Sequence, residues 1–406
     1  MNLSNETWNF IYSHVNDDAN TLALMKKVPK GVDLREAVIQ IEARQIARHK
    51  LPSWFEEKQI IYPRKLSMEQ CSSEPTAKYK AVLCGGGDTF VDLTGGLGAD
   101  FSFIARKYRS SVYVERKAFL CRLAEHNFEV LGIDGTHVWN GDSMDYLRGM
   151  GHVDTILIDP ARRGAGGSKV VAVGDCEPDI SKIENELVAK ADRVIVKLSP
   201  MLDIRQALRV LRHITQIHVV AVDNECKELL FVMKKTPDKN LKTPEGSPIV
   251  PNIAICCENR LQGGDFEHFE FTMEEEDAAL VDYSPTVHNF IYEPNATVMK
   301  AGAFKLLTQR YGVGKLHPNS HIYTSRQLVK SFPGRKLRVT GTSSFQKKEL
   351  RKFLSKLDRV NIVCRNFSMK PDELYRKFKL RHGGSEFLYA TTLSDGSKIL
   401  IRAERA

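Results

Sequence analysis

The sequence lacks the features of a secreted, membrane-spanning or metal-centred protein. Its 406 residues include no apolar run long enough to cross a bilayer, and the start, MNLSNETWNF, has no basic stretch followed by an apolar one. The eight cysteines are scattered, and none is arranged as CxxC. This pattern argues against a disulfide framework or a zinc site and is typical of a reducing compartment. We therefore predict a cytoplasmic protein with no metal and no membrane contact.

Positive charge is concentrated at the end of the chain. The formal net charge is +9. Residues 335–406 contain 18 Lys/Arg and 7 Asp/Glu, whereas the rest of the chain contains 41 and 43. A localised positive field is what a polyanion-binding module needs, and a merely solvated basic surface is the alternative. The tail therefore predicts binding to nucleic acid.

The beginning of the chain is rich in helical patterns. Asp33 can cap the helix LREAVIQIEARQIARHK, with Glu36 three residues later as its capping-box partner. A second helix is expected over 68–83, where Pro75 can interrupt it. Residues 1–84 are therefore predicted to form a small helical domain.

Short apolar runs then alternate with helical stretches. The strand-like runs are TFVDL, SVYVE, THVWN, TILID, RVIVKL and IHVVAVD, and ELLFVMKK follows the last of them after a short turn. This alternation predicts a doubly wound parallel sheet with an antiparallel hairpin at its edge, within a domain over 85–282. A loop is expected at 236–250, followed by a hairpin from NIAICCE through FEHFEFT.

Two small units are predicted for the remaining chain. Residues 283–333 contain a helix around 297–311 and a short strand, HIYTS. Residues 334–406 alternate strand, helix, strand, helix and two strands, and the last pair is joined through Asp395-Gly396, a hairpin signal. The tail is therefore predicted to form a small α+β sandwich.

A glycine-rich turn, FVDLTGGLGADF, joins the first strand of the sheet to a helix that begins near Asp100. Glycines let a ligand approach the backbone, and the amides of a helix start favour an anionic group. The dinucleotide fingerprint G-x-G-x-x-G fails at Phe101. The methyltransferase pattern D-x-G-x-G-x-G fits, except that Thr94 replaces its first glycine. The residues that match this pattern are Asp92, Gly96 and Gly98, and Thr94 and Asp100 of the same turn are also predicted to bind the cofactor.

Acidic residues stand at the ends of the next strands. Glu115 ends the second strand roughly 20 residues past the turn, where an acid accepts hydrogen bonds from ribose hydroxyls. Asp142 and Ser143 follow the third strand, where an acid can lie near the adenine amino group, and Asp159-Pro160 ends the fourth. Because the carboxyl ends of parallel strands form the ligand-binding edge of such a sheet, the set favours a methyltransferase.

These motifs resemble those of a known family. Residues 85–235 resemble a class I SAM-dependent methyltransferase, and LIDPAR is similar to the (D/N)PP(Y/F) and DPPR segments of nucleic-acid methyltransferases, with Ala161 in place of the second proline. Nearly the whole chain resembles bacterial proteins that join such a domain to a small ferredoxin-like segment and a C-terminal THUMP-like domain. The segments that carry this likeness are SSEPTAKYKA, EPNATVMKAGAFKLL, KLHPNSHIYTS and NFSMKPDEL…GGSEFLYATTLSDG. The resemblance implies SAM as cofactor and, since THUMP domains bind RNA, an RNA acceptor.

The DPAR segment suggests how an acceptor is held. The Asp159 carboxylate and the Pro160 carbonyl can accept the hydrogens of an exocyclic amine and orient its nitrogen, although Asp159 could also simply cap the following turn. Ser199 stands where the resembling C5 pyrimidine methyltransferases carry a cysteine, which argues against covalent C5 chemistry. Methylation of a ribose 2′-hydroxyl stays open, with Lys197 as the group that could lower the hydroxyl pKa.

Basic residues next to this segment and in the tail are candidate RNA contacts. Arg162 and Arg163 could hold a phosphate or a base, or could form a solvated loop pair, and the following GAGGSK could form a lid. Most aromatic residues of the tail are expected in its core. Phosphate contacts are expected from basic residues of the tail, namely Lys347, Lys348, Arg351, Lys352, Arg376 and Lys379.

Together these patterns predict a Rossmann-like α/β protein that transfers methyl groups from SAM to a nitrogen of a base in tRNA or rRNA. Two alternatives stay open. One is a methyltransferase with a small-molecule or protein acceptor, and the other is a catalytically silent RNA-binding protein that has kept the fold.

Overall fold

The computed structural model describes residues 3–162, 172–235, 252–355 and 357–406. The chain forms two compact units. The first comprises Met1–Ile217 and Lys227–Pro251, and the second comprises His218–Cys226 and Asn252–Ala406. Across the described ranges, no helix combines the length and the apolar character needed to cross a membrane. The loop predicted at 236–250 lies outside the described residues.

Helices precede the sheet of the first unit. They are α1 Asn5–Ser13, α2 Ala19–Ala23, α3 Leu34–Lys50, α4 Pro52–Glu56, α5 Lys65–Gln70 and α6 Glu74–Cys84. Asp33 caps α3 as predicted. The expected capping box does not form in this helix as the structure describes it, because the Glu36 side chain instead accepts a hydrogen bond from Gln40 at 3.0 Å. The helix predicted over 68–83 is interrupted, as the prediction allowed, and forms α5 and α6. Pro75 lies in the first turn of α6, because a proline fits where no backbone donor is needed.

Strands and helices then alternate along the first unit. In chain order they are β1 Gly87–Asp92, α7 Ala99–Ile104, β2 Tyr108–Glu115, α8 Ala118–Val130, β3 Thr136–Asn140, α9 Ser143–Gly149, β4 Val153–Ile158, β5 Ala161–Arg162, β6 Cys176–Glu177, α10 Ile180–Lys190, β7 Ala191–Leu198, α11 Ile204–Val210, β8 Ile214–Val222 and β9 Glu225–Met233. The part of β8 after Ile217 belongs to the second unit.

The main sheet has the strand order β3-β2-β1-β4-β7-β9-β8 in this unit. The pairs β1–β2, β2–β3, β1–β4 and β4–β7 are parallel, and β9 runs antiparallel to β7. The predicted doubly wound α/β fold is therefore confirmed. Since the parallel strands are joined by helices, their carboxyl ends meet at one edge of the sheet.

The second unit is mostly antiparallel. Its elements are β10 Ala254–Arg260, β11 Phe266–Thr272, α12 Met273–Ala278, β12 Phe290–Pro294, α13 Ala296–Ala301, α14 Leu306–Tyr311, β13 Gly314–Lys315, β14 Tyr323–Ser325, β15 Gly334–Ser344, α15 Lys347–Leu354, β16 Arg359–Cys364, α16 Pro371–Phe378, β17 Arg381–Thr392 and β18 Lys398–Arg405. β10 and β11 form the predicted hairpin. The helix predicted around 297–311 is two helices, because Gly302 ends the first with a φ of 83°.

A second sheet, in the order β13-β14-β12-β15-β18-β17-β16, organises the end of the chain. Leu350 of α15 and Leu374 of α16 share one apolar core with Leu388 of β17. The next residue of that strand, Tyr389, belongs to a different core. Because successive strand residues face opposite sides of a sheet, both helices cover the same face, as the predicted sandwich requires.

Candidate active site

The glycine-rich turn between β1 and α7 is shaped by close packing. A Cβ at Gly95 would lie 2.1 Å from the Tyr113 ring, which leaves no room for a side chain. Gly98 precedes α7 with a φ of 85°, and a Cβ there would lie 2.9 Å from Phe128. The turn therefore requires glycine for packing and for backbone conformation. Gly95 was not among the predicted site residues.

Glu115, at the end of β2, is bound to this turn. Its Oε2 accepts a hydrogen bond from the Gly96 amide at 3.1 Å, and its Oε1 accepts one from the Lys117 amide at 2.8 Å. The Tyr113 hydroxyl donates to the Gly96 carbonyl from the same strand. The carboxylate thus has a fixed position, and each of its oxygens keeps a further lone pair for a ligand.

Two adjoining cavities open at the carboxyl edge of the sheet. One, of about 180 Å³, is lined by the glycine-rich turn, and the other, of about 490 Å³, is lined by the start of α9. Glu115 and Asp159 line both. Asp142 caps α9, since its Oδ1 accepts from the Met144 amide at 2.8 Å. The strand ends that the sequence predicts as functional therefore border two cavities that share Glu115 and Asp159 in their linings.

Asp159 follows β4 and is held from two sides. Its amide donates to Thr94 Oγ1 at 2.6 Å, and its Oδ2 accepts from Lys197 Nζ at 2.6 Å. The Asp159 side chain is 44% exposed, whereas that of Lys197 is 15% exposed. This ion pair therefore lies where the protein interior meets the cavity. The adjacent Pro160 is buried.

Behind this pair lies a set of polar residues that we call the buried ion cluster: Ser72, Lys80, Asp100, Lys197 and Glu228. Lys80 Nζ lies 2.6 and 2.7 Å from the two carboxylate oxygens of Glu228 and 3.1 Å from Asp100. Ser72 donates to Asp100 at 2.7 Å and accepts from Lys197 at 3.1 Å. Because α6, α7, β7 and β9 each contribute, the cluster joins the early helices to the sheet.

Burial and charge together set the protonation of these groups. Burial opposes the charge on Lys197, but the carboxylates of Asp159 and Asp100 raise its pKa well above the usual value. Burial would raise the pKa of Asp100, but the ammonium groups of Lys80 and Lys197 lower it. Burial raises the pKa of Asp92 to about 8. Lys197 is therefore a full cation near neutral pH, and Asp92 is largely a neutral acid.

The structure brings the predicted cofactor residues together. Those that line the smaller cavity are Asp92, Thr94, Gly96, Gly98, Asp100 and Glu115, and those that line the larger one include Asp142 and Ser143. Arg163 and the GAGGSK stretch lie outside the described residues, and Arg162 is described only by its place in β5. Among the described residues, no group of His, Cys, Asp and Glu is arranged to hold a metal ion.

Three members of the buried ion cluster were not predicted: Ser72, Lys80 and Glu228. Two of them lie in SSEPTAKYKA, one of the segments that carries the family resemblance. Glu228 opens the apolar strand run ELLFVMKK. A buried carboxylate in such a run needs a partner, so the position of Glu228 was the signal in the sequence that a buried ion pair could form there. The run alone does not identify the lysine that pairs with it.

The chain can be compared with solved structures along nearly its full length. The crystal structure of a protein from Porphyromonas gingivalis W83, described as a "putative methyltransferase", matches with a TM-score of 0.86 and 34% identity, over 98% of this chain and 97% of that one. This chain belongs to the same family. Family models match its end as well, a ferredoxin-like domain at 290–333 and a THUMP domain-like module at 334–405. The resemblance predicted from the sequence is confirmed.

Two further solved structures match this chain only weakly. An rRNA methylase from Streptococcus thermophilus matches with a TM-score of 0.31 and 12% identity, over 40% of this chain and 96% of that one. A precorrin 8w decarboxylase from Methanobacterium thermoautotrophicum matches with a TM-score of 0.29 and 16% identity, over 41% and 92%. Likenesses of this strength support no functional conclusion. A comparison with curated proteins found no match.

The THUMP-like module exposes basic side chains on its helices. We call four of them, all exposed, the basic helix face: Lys347, Lys348 and Arg351 of α15 and Arg376 of α16. The aromatic residues around them, Phe353 and Phe378 among them, pack against the apolar core on the other side of the helices. The expectation that most aromatic residues of the tail are core residues is confirmed. The role of the basic helix face in binding RNA stays a prediction.

Proposed function

We propose that this protein transfers a methyl group from SAM to RNA, either tRNA or rRNA. The observation that carries the proposal is the convergence of Glu115, Asp142 and Asp159 on adjoining cavities. Each follows a different parallel strand, at the edge where open α/β sheets bind their ligands. The family membership supports the same activity class.

The residues of the two cavities fit SAM. Glu115 keeps lone pairs for the ribose hydroxyls, and Asp142, which caps α9 through Oδ1, keeps Oδ2 for the adenine amino group. The absence of a side chain at Gly96 leaves room beside the turn for the methionine part, whose carboxylate suits the amides there. Bound SAM supplies a methyl group that is already activated by a sulfonium sulfur.

RNA is the proposed acceptor because positive charge is concentrated on a THUMP-like module. The basic helix face would contact phosphates, which position a nucleic acid without reading its sequence. At the methyl-transfer site, Asp159 is the proposed acceptor-side group. Two kinds of acceptor atom come into question beside it, the exocyclic base nitrogen predicted from the sequence and a ribose hydroxyl.

Two other functions make different predictions. An enzyme with a small-molecule or protein acceptor would turn over without RNA, and its Michaelis constant would be insensitive to salt. A catalytically silent RNA-binding protein would bind RNA without binding SAM. Three acidic residues at strand ends border the cavities. This arrangement favours a catalytic protein over a silent RNA-binding protein.

The test is transfer of labelled methyl from SAM to unmodified tRNA and rRNA transcripts, with total RNA from a strain that lacks the gene as a further acceptor. Asp159→Ala is expected to abolish transfer while SAM binding, followed by calorimetry, persists. Asp134→Ala, in an exposed loop before β3, is the matched control. Label that resists ribonuclease but not protease, or that appears without RNA, would contradict the proposal.

A further inference from the structure

We infer that the acceptor atom is a hydroxyl oxygen of RNA, the ribose 2′-oxygen, and that Lys197 and Asp159 together hold it. This inference rests on the proposed function and narrows it, since it replaces the base nitrogen as the acceptor. It begins from the ion pair at the cavity, where Lys197 Nζ lies 2.6 Å from Asp159 Oδ2. Both side chains line the cavity of the glycine-rich turn.

A hydroxyl matches this pair in both of its hydrogen-bonding roles. Its oxygen can accept a hydrogen bond from the Lys197 ammonium, and its hydrogen can be donated to the Asp159 carboxylate. An ammonium next to the oxygen stabilises the negative charge that develops as the proton leaves. The charge of Lys197 is secured by Asp159 and Asp100, the latter 3.8 Å away.

An exocyclic amine fits the same place poorly. Its nitrogen becomes positively charged when it attacks a methyl group, so its environment should supply acceptors and no cation. Here a buried lysine lies beside the carboxylate and occupies Asp159 Oδ2. Like charges at this range disfavour one another, and a desolvated site strengthens the effect. The ion pair therefore favours oxygen over nitrogen.

The rest of the buried ion cluster explains why Lys197 is fixed. Ser72 Oγ lies 3.1 Å from Lys197 Nζ and is itself bound to Asp100. Lys80 lies 3.1 Å from Asp100 and donates to Ser72 at 3.3 Å, and Glu228 pairs with Lys80. The side chains of Lys80 and Glu228 are 0% and 3% exposed. Ser72 and Asp100 line the cavity of the glycine-rich turn, whereas Lys80 and Glu228 line neither cavity. Lys80 and Glu228 are positioning residues, and Lys197 and Asp159 are the catalytic ones.

The reaction balances with these groups alone. The hydroxyl oxygen bonds to the methyl carbon as the carbon–sulfur bond breaks, and the sulfur keeps that electron pair. The hydroxyl proton passes to the Asp159 carboxylate and from there to water through its exposed side. Lys197 keeps its proton throughout. The products are a 2′-O-methyl ribose, the thioether and one proton.

The experiment locates the label in RNA methylated by the intact protein, using the tRNA and rRNA transcripts and the total RNA named above. A 2′-O-methyl group blocks alkaline cleavage of the adjacent phosphodiester, because the 2′-hydroxyl is the nucleophile. Alkali should therefore release the label in dinucleotides. Label in mononucleotides would show base methylation and overturn the inference while leaving RNA methylation intact. No label in any RNA would overturn both.

Variants give a second readout. Lys197→Met should lower kcat at least about 100-fold, the usual effect of removing one charge-stabilising group, with SAM affinity by calorimetry within about threefold of wild type. Lys197→Arg, which keeps the cation, should recover part of kcat. Lys107→Met is the matched control, because Lys107 is exposed and lies just before the first residue of β2, at the edge of the sheet away from the site. Equal kcat in Lys197→Met and wild type would contradict the assignment.

Discussion

Removal of either partner of the buried Lys80–Glu228 pair is expected to destabilise the protein, and the cost should differ between the two partners. The two side chains are 0% and 3% exposed, and Lys80 contacts both Glu228 oxygens as well as Asp100 at 3.1 Å. Lys80→Met would leave two buried carboxylates without their shared cation. Glu228→Gln would leave Lys80 still paired with Asp100. The lysine variant should therefore be the less stable of the two.

The magnitudes follow from what each change leaves behind. Removal of one partner from a buried ion pair costs about 3–5 kcal/mol, which we expect for Lys80→Met. Glu228→Gln, which keeps a hydrogen-bonding side chain, should cost about 1–3 kcal/mol. The double variant should cost less than the sum of the two, with a coupling of about 1–3 kcal/mol.

Protonation adds a pH dependence to this prediction. Burial already raises the pKa of Glu228, and loss of Lys80 would raise it further. A carboxyl with a raised folded pKa contributes stability below its unfolded pKa and loses it as the pH rises through the folded pKa. The destabilisation by Lys80→Met should therefore be larger at about pH 8 than at about pH 5.5.

Tryptophan fluorescence during urea unfolding measures these effects in the relevant unit. The protein has three tryptophans, Trp8, Trp54 and Trp139, and all belong to the first unit. Their emission therefore follows unfolding of the unit that contains the pair. The reasoning would be refuted if Glu228→Gln were as destabilising as Lys80→Met, or if the cost of Lys80→Met did not change with pH.

Three further predictions concern the turn, the acid beneath it and the tail. The pKa of Asp92 is about 8 in the folded protein and about 3.9 in the unfolded chain. The stabilising contribution of Asp92 is therefore lost as the pH rises through about 8. The urea resistance of Asp92→Asn should accordingly rise relative to that of the wild type between about pH 5 and pH 9. Gly95→Ala would place a methyl carbon 2.1 Å from the Tyr113 ring. It should therefore weaken SAM binding, measured by calorimetry, by at least about tenfold. Gly149→Ala is the control and should leave SAM binding unchanged, because no heavy atom lies within 4 Å of the added carbon. Reversal of the charges of the basic helix face should weaken RNA binding in fluorescence polarisation and lower the salt slope by about one per lost phosphate contact, and an unchanged slope would exclude that face as the RNA contact.

Much of the fold could be predicted because its signals are local. The strand runs, the glycine-rich turn and the acid that follows each strand are short motifs, and parallel pairing then brings their ends to one edge without further information. The α3 cap at Asp33 is equally local. An error occurred at Gly302, which divides a run that was predicted as one helix. At Pro75 the interruption was predicted as possible, and the proline begins the second helix.

The buried ion cluster could not be predicted in the same way. Lys80 and Glu228 are 148 positions apart, and each has many candidate partners in the sequence. Lys197 was identified only as a residue that could act on a hydroxyl. Its pairing with Asp159, 38 positions away, is a property of two neighbouring parallel strands rather than of either segment. Such contacts require the folded chain.

The contact between Lys80 and Glu228, which are 148 positions apart, affects when the site is completed during synthesis of the chain. The glycine-rich turn and Glu115 are complete once the first strands have left the ribosome. Lys80, however, cannot pair with Glu228 until β9 has been made and has inserted beside β7. Nascent chains shorter than this should hold the first part of the site without the fixed lysine next to Asp159. Under the proposed function, a growing chain would therefore gain methyl-transfer activity only after the whole sheet had formed.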